Sequence, residues 1–313
     1  MRYFTAVFLL AAGLAPGAAH AQPQADKHEG YYGWWLQNDA AEAFVITEPY
    51  PRLVAFNLKG KSSPLHISDQ YEYFGVRTWF FEPTQIPTSG LPALQPARAE
   101  LIGERGLRLT AAPDTTSQLQ LFMEIELDEK EARLHIRHGF KNLKNEQRRI
   151  AAWALNVIKP DDGVGVTRFK KEGRRSLLFW PNTDLDEDAL KTGPRALAVD
   201  YSVLPRNGWF KVGTNTDAGW VAYVWDGMAL KSSVAHVANA EYPEDGGTIT
   251  FFNSTTEIFD GNPRFGEIEN VGPLSELQPG NTLWMDQTLE IIDGIEGDDP
   301  EAWVEQLDPQ NDE

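Results

Sequence analysis

In the stretch QLQLFMEIEL, Leu119, Leu121, Met123, Ile125 and Leu127 fall on one side, and Gln118, Gln120, Glu124 and Glu126 on the other. A period of two means a strand with one buried face, because successive Cβ atoms leave a pleated chain on opposite sides. The pattern continues through ARLHIRHGF, RRIAAWALNVI, RSLLFWP, GWVAYVWDGMALKSSV and GGTITFFNSTTEIF, all rich in β-branched and aromatic residues. Turn signals such as KNLKNEQ, PDDG, DAG, YPEDGG and GNPR separate these runs. Many strands joined by short polar turns, with almost no helical period, predict an all-β antiparallel sandwich or barrel.

The early part is less regular. Residues 81–98, FEPTQIPTSGLPALQPAR, carry four prolines that bar them from a central strand. A loop of that length either walls a site or is a surface excursion. No repeat or linker divides the chain, so residues 33–292 are expected to form one domain, after a flexible segment at 22–32. The last segment, 293–313, reads as an acidic, solvated tail. Within it PEAWVEQL predicts a short helix whose Trp303 and Leu307, four apart, can pack back on the body.

The opening MRYFTAVFLLAAGLAPGAAHA has one Arg, an apolar run of about 12 residues, a Pro-Gly break and Ala19-His20-Ala21 as a small-x-small cleavage site. That is the layout of a signal peptide spanning 1–21, and it predicts a periplasmic or secreted protein. A membrane span needs roughly 20 apolar residues, so no membrane insertion is expected. The chain has no cysteine, which excludes thiolate metal sites, cysteine nucleophiles and CxxC redox chemistry. The formal charge is −18, and nine carboxylates with no Lys or Arg lie from Asp293 onward. An acidic surface repels phosphate backbones, so nucleic acid is not an expected partner. An uncharged carbohydrate ligand meets no such penalty.

Several segments carry a resemblance: GVRTWFFEP, FKNLKNEQRRIAAWALNVIKPDDG, LLFWPNTDLDED, FKVGTN with GWVAYV, AEYPEDGG and EIENVGPLSELQPG. In this order they resemble a family of bacterial domains of uncharacterised activity, similar in turn to the galactose mutarotase-like superfamily, from about Gly33 to Ile292. The resemblance implies a large antiparallel supersandwich with a carbohydrate-shaped cleft. In true mutarotases it implies a His acid and a Glu base that open and close a sugar ring. Glu267 or Glu269 stands where that Glu is expected, shortly before a Pro turn. Where the His is expected, this chain reads Ala152-Trp153-Ala154-Leu155. Two readings follow: an enzyme using carboxylate chemistry on a sugar, or a glycan-binding or envelope accessory protein that has lost the histidine.

Glu267 and Glu269 are two apart on a strand, so they emerge from one face roughly 7 Å apart. They are the candidate catalytic pair if that face lines a cleft, and ordinary sheet surface if it does not. Arg77 and Lys211 lie on apolar strands, where a cation must snorkel or meet a charge; the resemblance puts such positions in the cleft. Lys231 presents the same problem. Trp79, Trp153 and Tyr242 are the aromatic candidates for a sugar wall, since flat rings suit the apolar faces of pyranoses. His138 is a further binding candidate, although its place beside Leu134 and Ile136 also fits a satisfied, half-buried histidine. His135 and His138 point to opposite faces and cannot share an ion. DLDED lacks the Gly and Glu of a calcium loop. No metal or cofactor is expected.

Overall fold

The computed structural model describes residues 22–68, 73–83, 95–160, 163–171, 173–184, 186–255 and 264–308. The signal segment and the middle of the proline-rich loop, 84–94, lie outside the described residues.

The alternating runs form two antiparallel sheets, whose strands are numbered in chain order. The first sheet begins with β1 (Gln24–His28), β2 (Tyr31–Gln37), β3 (Ala41–Ile46), β4 (Arg52–Leu58) and β5 (Val76–Phe81). It continues through β10 (Arg148–Ile158), β19 (Gly266–Val271), β18 (Ile249–Ser254), β15 (Trp209–Thr214) and β12 (Leu177–Phe179), and the short β20 (Ser275–Leu277) pairs with the start of β10. The second sheet runs β13 (Leu190–Thr192), β14 (Ala196–Asp200), β11 (Val164–Arg168), β16 (Trp220–Trp225) and β17 (Met228–Ser233). It ends with β21 (Thr282–Asp293), β9 (Arg133–Asn142), β8 (Leu119–Leu127), β7 (Gly106–Ala111) and β6 (Ala97–Ile102).

The core lies between the sheets. Leu119, Leu121, Met123, Ile125 and Leu127 of β8 are all buried, as the alternation requires. From the first sheet Leu53, Val76, Val212, Ile249, Phe251 and Ile268 join Met123, Ile125 and Leu127 in one core cluster, while Leu119 and Leu121 pack with Phe80 and Ala152 in another. The middle strands β10 and β19 are buried along nearly their whole length, so the first sheet is covered on its other face as well. That second face holds the site.

Both ends of the chain depart from expectation. Residues 24–28, expected to be flexible, form β1 and pair with β2 from Gln24↔Trp35 to His28↔Tyr31. The turn between them uses left-handed backbone at Glu29 (φ 48) and Gly30 (φ 92), and the Trp35 ring meets His28 edge-on and Phe44 at a tilt. The acidic tail is not all solvated either. Pro300–Leu307 is the expected helix, and Trp303, Val304 and Leu307 are buried against Val166, Ala196 and Trp220. Glu301 Oε1 accepts from the backbone N–H of Arg195 and Ala196, and Asp308 pairs with Arg168 at 2.9 Å. The apolar side of the helix brings its acids onto the second sheet, where backbone donors and arginines take them up. Lys231 meets the same helix, donating to the Leu307 carbonyl at 2.7 Å.

Candidate functional site

Strand register decides which side chains share a face. Trp79 pairs with Trp153 and Arg77 with Leu155 across β5 and β10. Leu155 then faces Glu269, and Val157 faces Glu267, across β10 and β19. Across β19 and β18, Glu269 pairs with Thr250 and Glu267 with Phe252. Phe252 in turn pairs with Lys211, and Thr250 with Gly213, across β18 and β15. One face of the sheet, turned away from the core, thus carries Arg77, Trp79, Trp153, Glu267, Glu269 and Lys211.

On this face the charges pair. Arg77 Nη2 lies 2.7 Å from Glu267 Oε1, and Lys211 Nζ lies 3.0 Å from Glu269 Oε2. Thr250 Oγ1 also donates to Glu269 Oε2. Glu267 and Glu269 are 5% and 0% exposed, so neither stands in open water. Removing two carboxylates from water is costly, and the two cations offset that cost. Burial pushes the Glu267 carboxyl up from its ordinary value; Arg77 pulls it down, while neighbouring Glu269 adds to the rise.

Aromatic rings enclose the ion pairs. The Arg77 guanidinium lies 4.7 Å from the Tyr73 ring and 5.1 Å from the Trp79 ring. Trp79 stacks on Trp153 with centroids 5.9 Å apart. Lys211 Nζ sits 4.2 Å from the Trp153 ring and 5.2 Å from that of Trp180. Cations held over indole faces in this way lose less on leaving water. Tyr73, Trp79, Trp180 and Lys211 remain half-buried, so the face opens along this rim. Gly213 makes room for Trp180, because a Cβ there would stand 3.2 Å from its ring and 2.8 Å from Thr250 Cγ2.

Four buried polar atoms on this face have no hydrogen-bond partner among the described residues: Arg77 Nε and Nη1, Trp153 Nε1 and Glu269 Oε1. Each unmade bond on a buried group costs about 1–3 kcal/mol. Three are donors and one is an acceptor.

The remaining candidates lie elsewhere. His138 is not with the others: it is fully buried between the sheets, bonded through Nδ1 to Thr78 Oγ1 and through Nε2 to Gln287 Oε1 at 2.8 Å. Thr78 is flanked by Arg77 and Trp79, so it leaves the strand on the opposite side and carries His138 away from their face. Gln287 Nε2 extends the network to Asn156 at 2.9 Å and Ser232 at 2.8 Å. Tyr242 stacks on His236 with centroids 5.4 Å apart, and its hydroxyl accepts from the Val237 N–H. The DLDED acids are engaged by Arg206, which reaches Asp186 and Asp188 at 3.0 Å.

Sequence reasoning passed over Tyr73, Trp180, Thr250 and Glu244. Glu244 Oε1 accepts from Trp180 Nε1 at 3.0 Å. It lies in the YPEDGG turn, where the period of two breaks off and no pattern tells which way a side chain points.

No protein-family model matches the chain, and no curated protein matches it in sequence. Solved structures do match in shape. A galactose mutarotase-like protein from Lactobacillus casei superposes with a TM-score of 0.59 at 11% identity, covering 82% of this chain and 99% of that one. Another galactose mutarotase-like protein, from Clostridium acetobutylicum, gives 0.51 at 10% identity, covering 87% and 99%. The fold is galactose mutarotase-like. A TPR-domain containing protein from Parabacteroides distasonis also matches, with a TM-score of 0.55 at 14% identity, covering 87% of this chain but 48% of its own. Likeness at such identity speaks of the fold and leaves the chemistry to the site.

Within this galactose mutarotase-like fold, the stretch where the resemblance implies an imidazole supplies Trp153 and Leu155 to the outer face and Ala152 and Ala154 to the core. Among the described residues no histidine bonds Glu267 or Glu269.

Proposed function

We propose that this is an exported, periplasmic or secreted protein that binds a carbohydrate on the outer face of its first sheet. The observation that carries the reading is the group of unpartnered buried atoms, Arg77 Nε and Nη1, Trp153 Nε1 and Glu269 Oε1, beneath half-buried rings. A sugar hydroxyl is both donor and acceptor, and so matches a mixed set of this kind. Trp79 and Trp180 supply flat faces for the apolar side of a pyranose ring. The internal pairing of Arg77 with Glu267 and of Lys211 with Glu269 leaves little net charge, which suits an uncharged glycan better than a phosphate. The absence of a bonded histidine among the described residues favours binding over ordinary mutarotase chemistry.

The test is titration of the purified mature protein with neutral mono- and oligosaccharides, followed by calorimetry and tryptophan fluorescence. At least one sugar is expected to bind and to change the emission. Trp79→Ala should weaken that sugar about tenfold or more, on the scale of about 1–3 kcal/mol by which alanine in place of an aromatic platform weakens a ring stacked on it. If no sugar binds, or if Trp79→Ala binds as tightly as wild type, this reading fails.

A further inference from the structure

The outer face of the second sheet has no task in the binding reading. Its strands β7, β8, β9 and β21 lie side by side, and their registers set the side chains in rows. One row runs Thr110, Phe122, Gly139 and Trp284; the next runs Arg108, Glu124, Arg137 and Asp286. A third sets Glu126 beside His135. Alternation turns these residues away from the core, and apart from Gly139 they are half-buried or exposed.

The charged row is paired within the chain. Arg108 lies 3.4 Å from Glu124, and Arg137 reaches Glu124 and Asp286 at 3.0 Å. Pairs this open to water add little to stability. The aromatic row is built over a glycine: a Cβ at Gly139 would stand 2.6 Å from the Trp284 ring, so the indole leans across β9 towards Phe122, with ring centroids 6.0 Å apart.

A row that reads plus, minus, plus, minus becomes its own complement when reversed. A two-fold axis in the plane of an interface, parallel to the strands and passing between β8 and β9, performs that reversal. It lays β8 of one copy over β9 of the other, and β7 over β21. Arg108 then faces Asp286 of the second copy, Glu124 faces its Arg137, and Glu126 faces its His135. Phe122 comes over Gly139 of the second copy, where the Trp284 ring lies. Aromatic rings meet near the axis and polar groups close around them, which is the anatomy of a protein interface. Glu100 of β6 extends the charged row at one end, but β17 pairs with β21 only from Thr288 onward, so no charge of that row faces it. Arg108, Arg137 and Lys141 balance Glu124, Glu126 and Asp286, so this face escapes the repulsion expected of a chain of formal charge −18.

We propose that two copies of the chain associate face to face through their second sheets about this axis. The sugar face lies on the far side of each copy, so the inference stands apart from the binding reading, and the pair carries both sugar faces outward.

The measurement is sedimentation velocity of the purified mature protein over a concentration series up to about 100 μM, a range that covers a weak interface, for wild type, Arg108→Glu and Asp286→Arg. Wild type should pass from monomer to dimer as concentration rises. Each single variant sets like charges face to face at two symmetric places and should raise the dimer Kd about tenfold or more. The two variants mixed in equal amounts should associate about as tightly as wild type, because each altered position then meets an opposite charge again. Both side chains are open to solvent, 39% and 78% exposed, so the fold should persist, and circular dichroism checks it. Wild type that stays monomeric throughout, a dimer that neither variant weakens, or variants that remain apart when mixed overturns the proposal.

Discussion

Arg77 and Glu267 form a buried ion pair. Both are buried, and burial works against the charge on Glu267, so the arginine is what makes an ionised carboxylate tolerable there. Arg77→Met should destabilise the protein by about 3–5 kcal/mol by leaving the carboxylate buried and unpaired. Adding Glu267→Gln should recover a large part of that loss, because the uncompensated charge goes with it. Urea unfolding of the two single variants and the double variant measures the cycle; a double variant as unstable as the sum of the singles refutes the pairing. The spacing of Glu267 and Glu269 already places both on one face. It says nothing of the partners, which come from β5 and β15, far away in the chain.

At the scale of elements, alternation and β-rich runs bounded by turn signals were enough to find β8, β9, β10, β12, β16, β17 and β18, and the four-residue spacing of Trp303 and Leu307 was enough to find the helix Pro300–Leu307. Its docking draws on that spacing and on acids that the composition alone assigns to solvent. Trp303 is buried and its Nε1 bonds the Gly297 carbonyl at 3.1 Å. Trp303→Ala should cost about 3–5 kcal/mol. Amide exchange over 300–307 should speed up while sugar binding is kept, since the helix packs on the second sheet and the site lies on the first. Unchanged amide protection would show that the ring does not hold the helix. The β1 and β2 pairing was less legible: the short polar run QADKH has no apolar alternation of its own and is a strand only because β2 supplies its hydrogen bonds.

At the scale of the whole molecule, the polar network around His138 ties the two sheets together. Thr78 and Asn156 belong to the first sheet, while His138, Ser232 and Gln287 belong to the second. Burial lowers the His138 pKa from 6.5 to about 4. In the unfolded chain it takes up a proton below its ordinary value, and in the folded protein it does not until about pH 4. The unfolded state therefore binds more protons between those values, so the stability His138 contributes is full above pH 6.5 and is lost as pH falls towards 4. That loss amounts to about 3 kcal/mol. His138→Gln lacks this titration, so the difference in urea midpoint between the two proteins should shrink from pH 7 to pH 4.5. A constant difference would count against a neutral, buried imidazole.

The sequence by itself determined the all-β class, several of the strands and the shared face of Glu267 and Glu269, because side-chain direction along a strand is a local property of period two. Only the tertiary structure decided which strands lie side by side, and hence that Arg77 meets Glu267, that Lys211 meets Glu269 and that His138 is sealed between the sheets. Glu244 and Trp180 come from a turn and a strand end, where no local period operates. Their meeting follows from long-range strand pairing and from the space left by the missing side chain of Gly213.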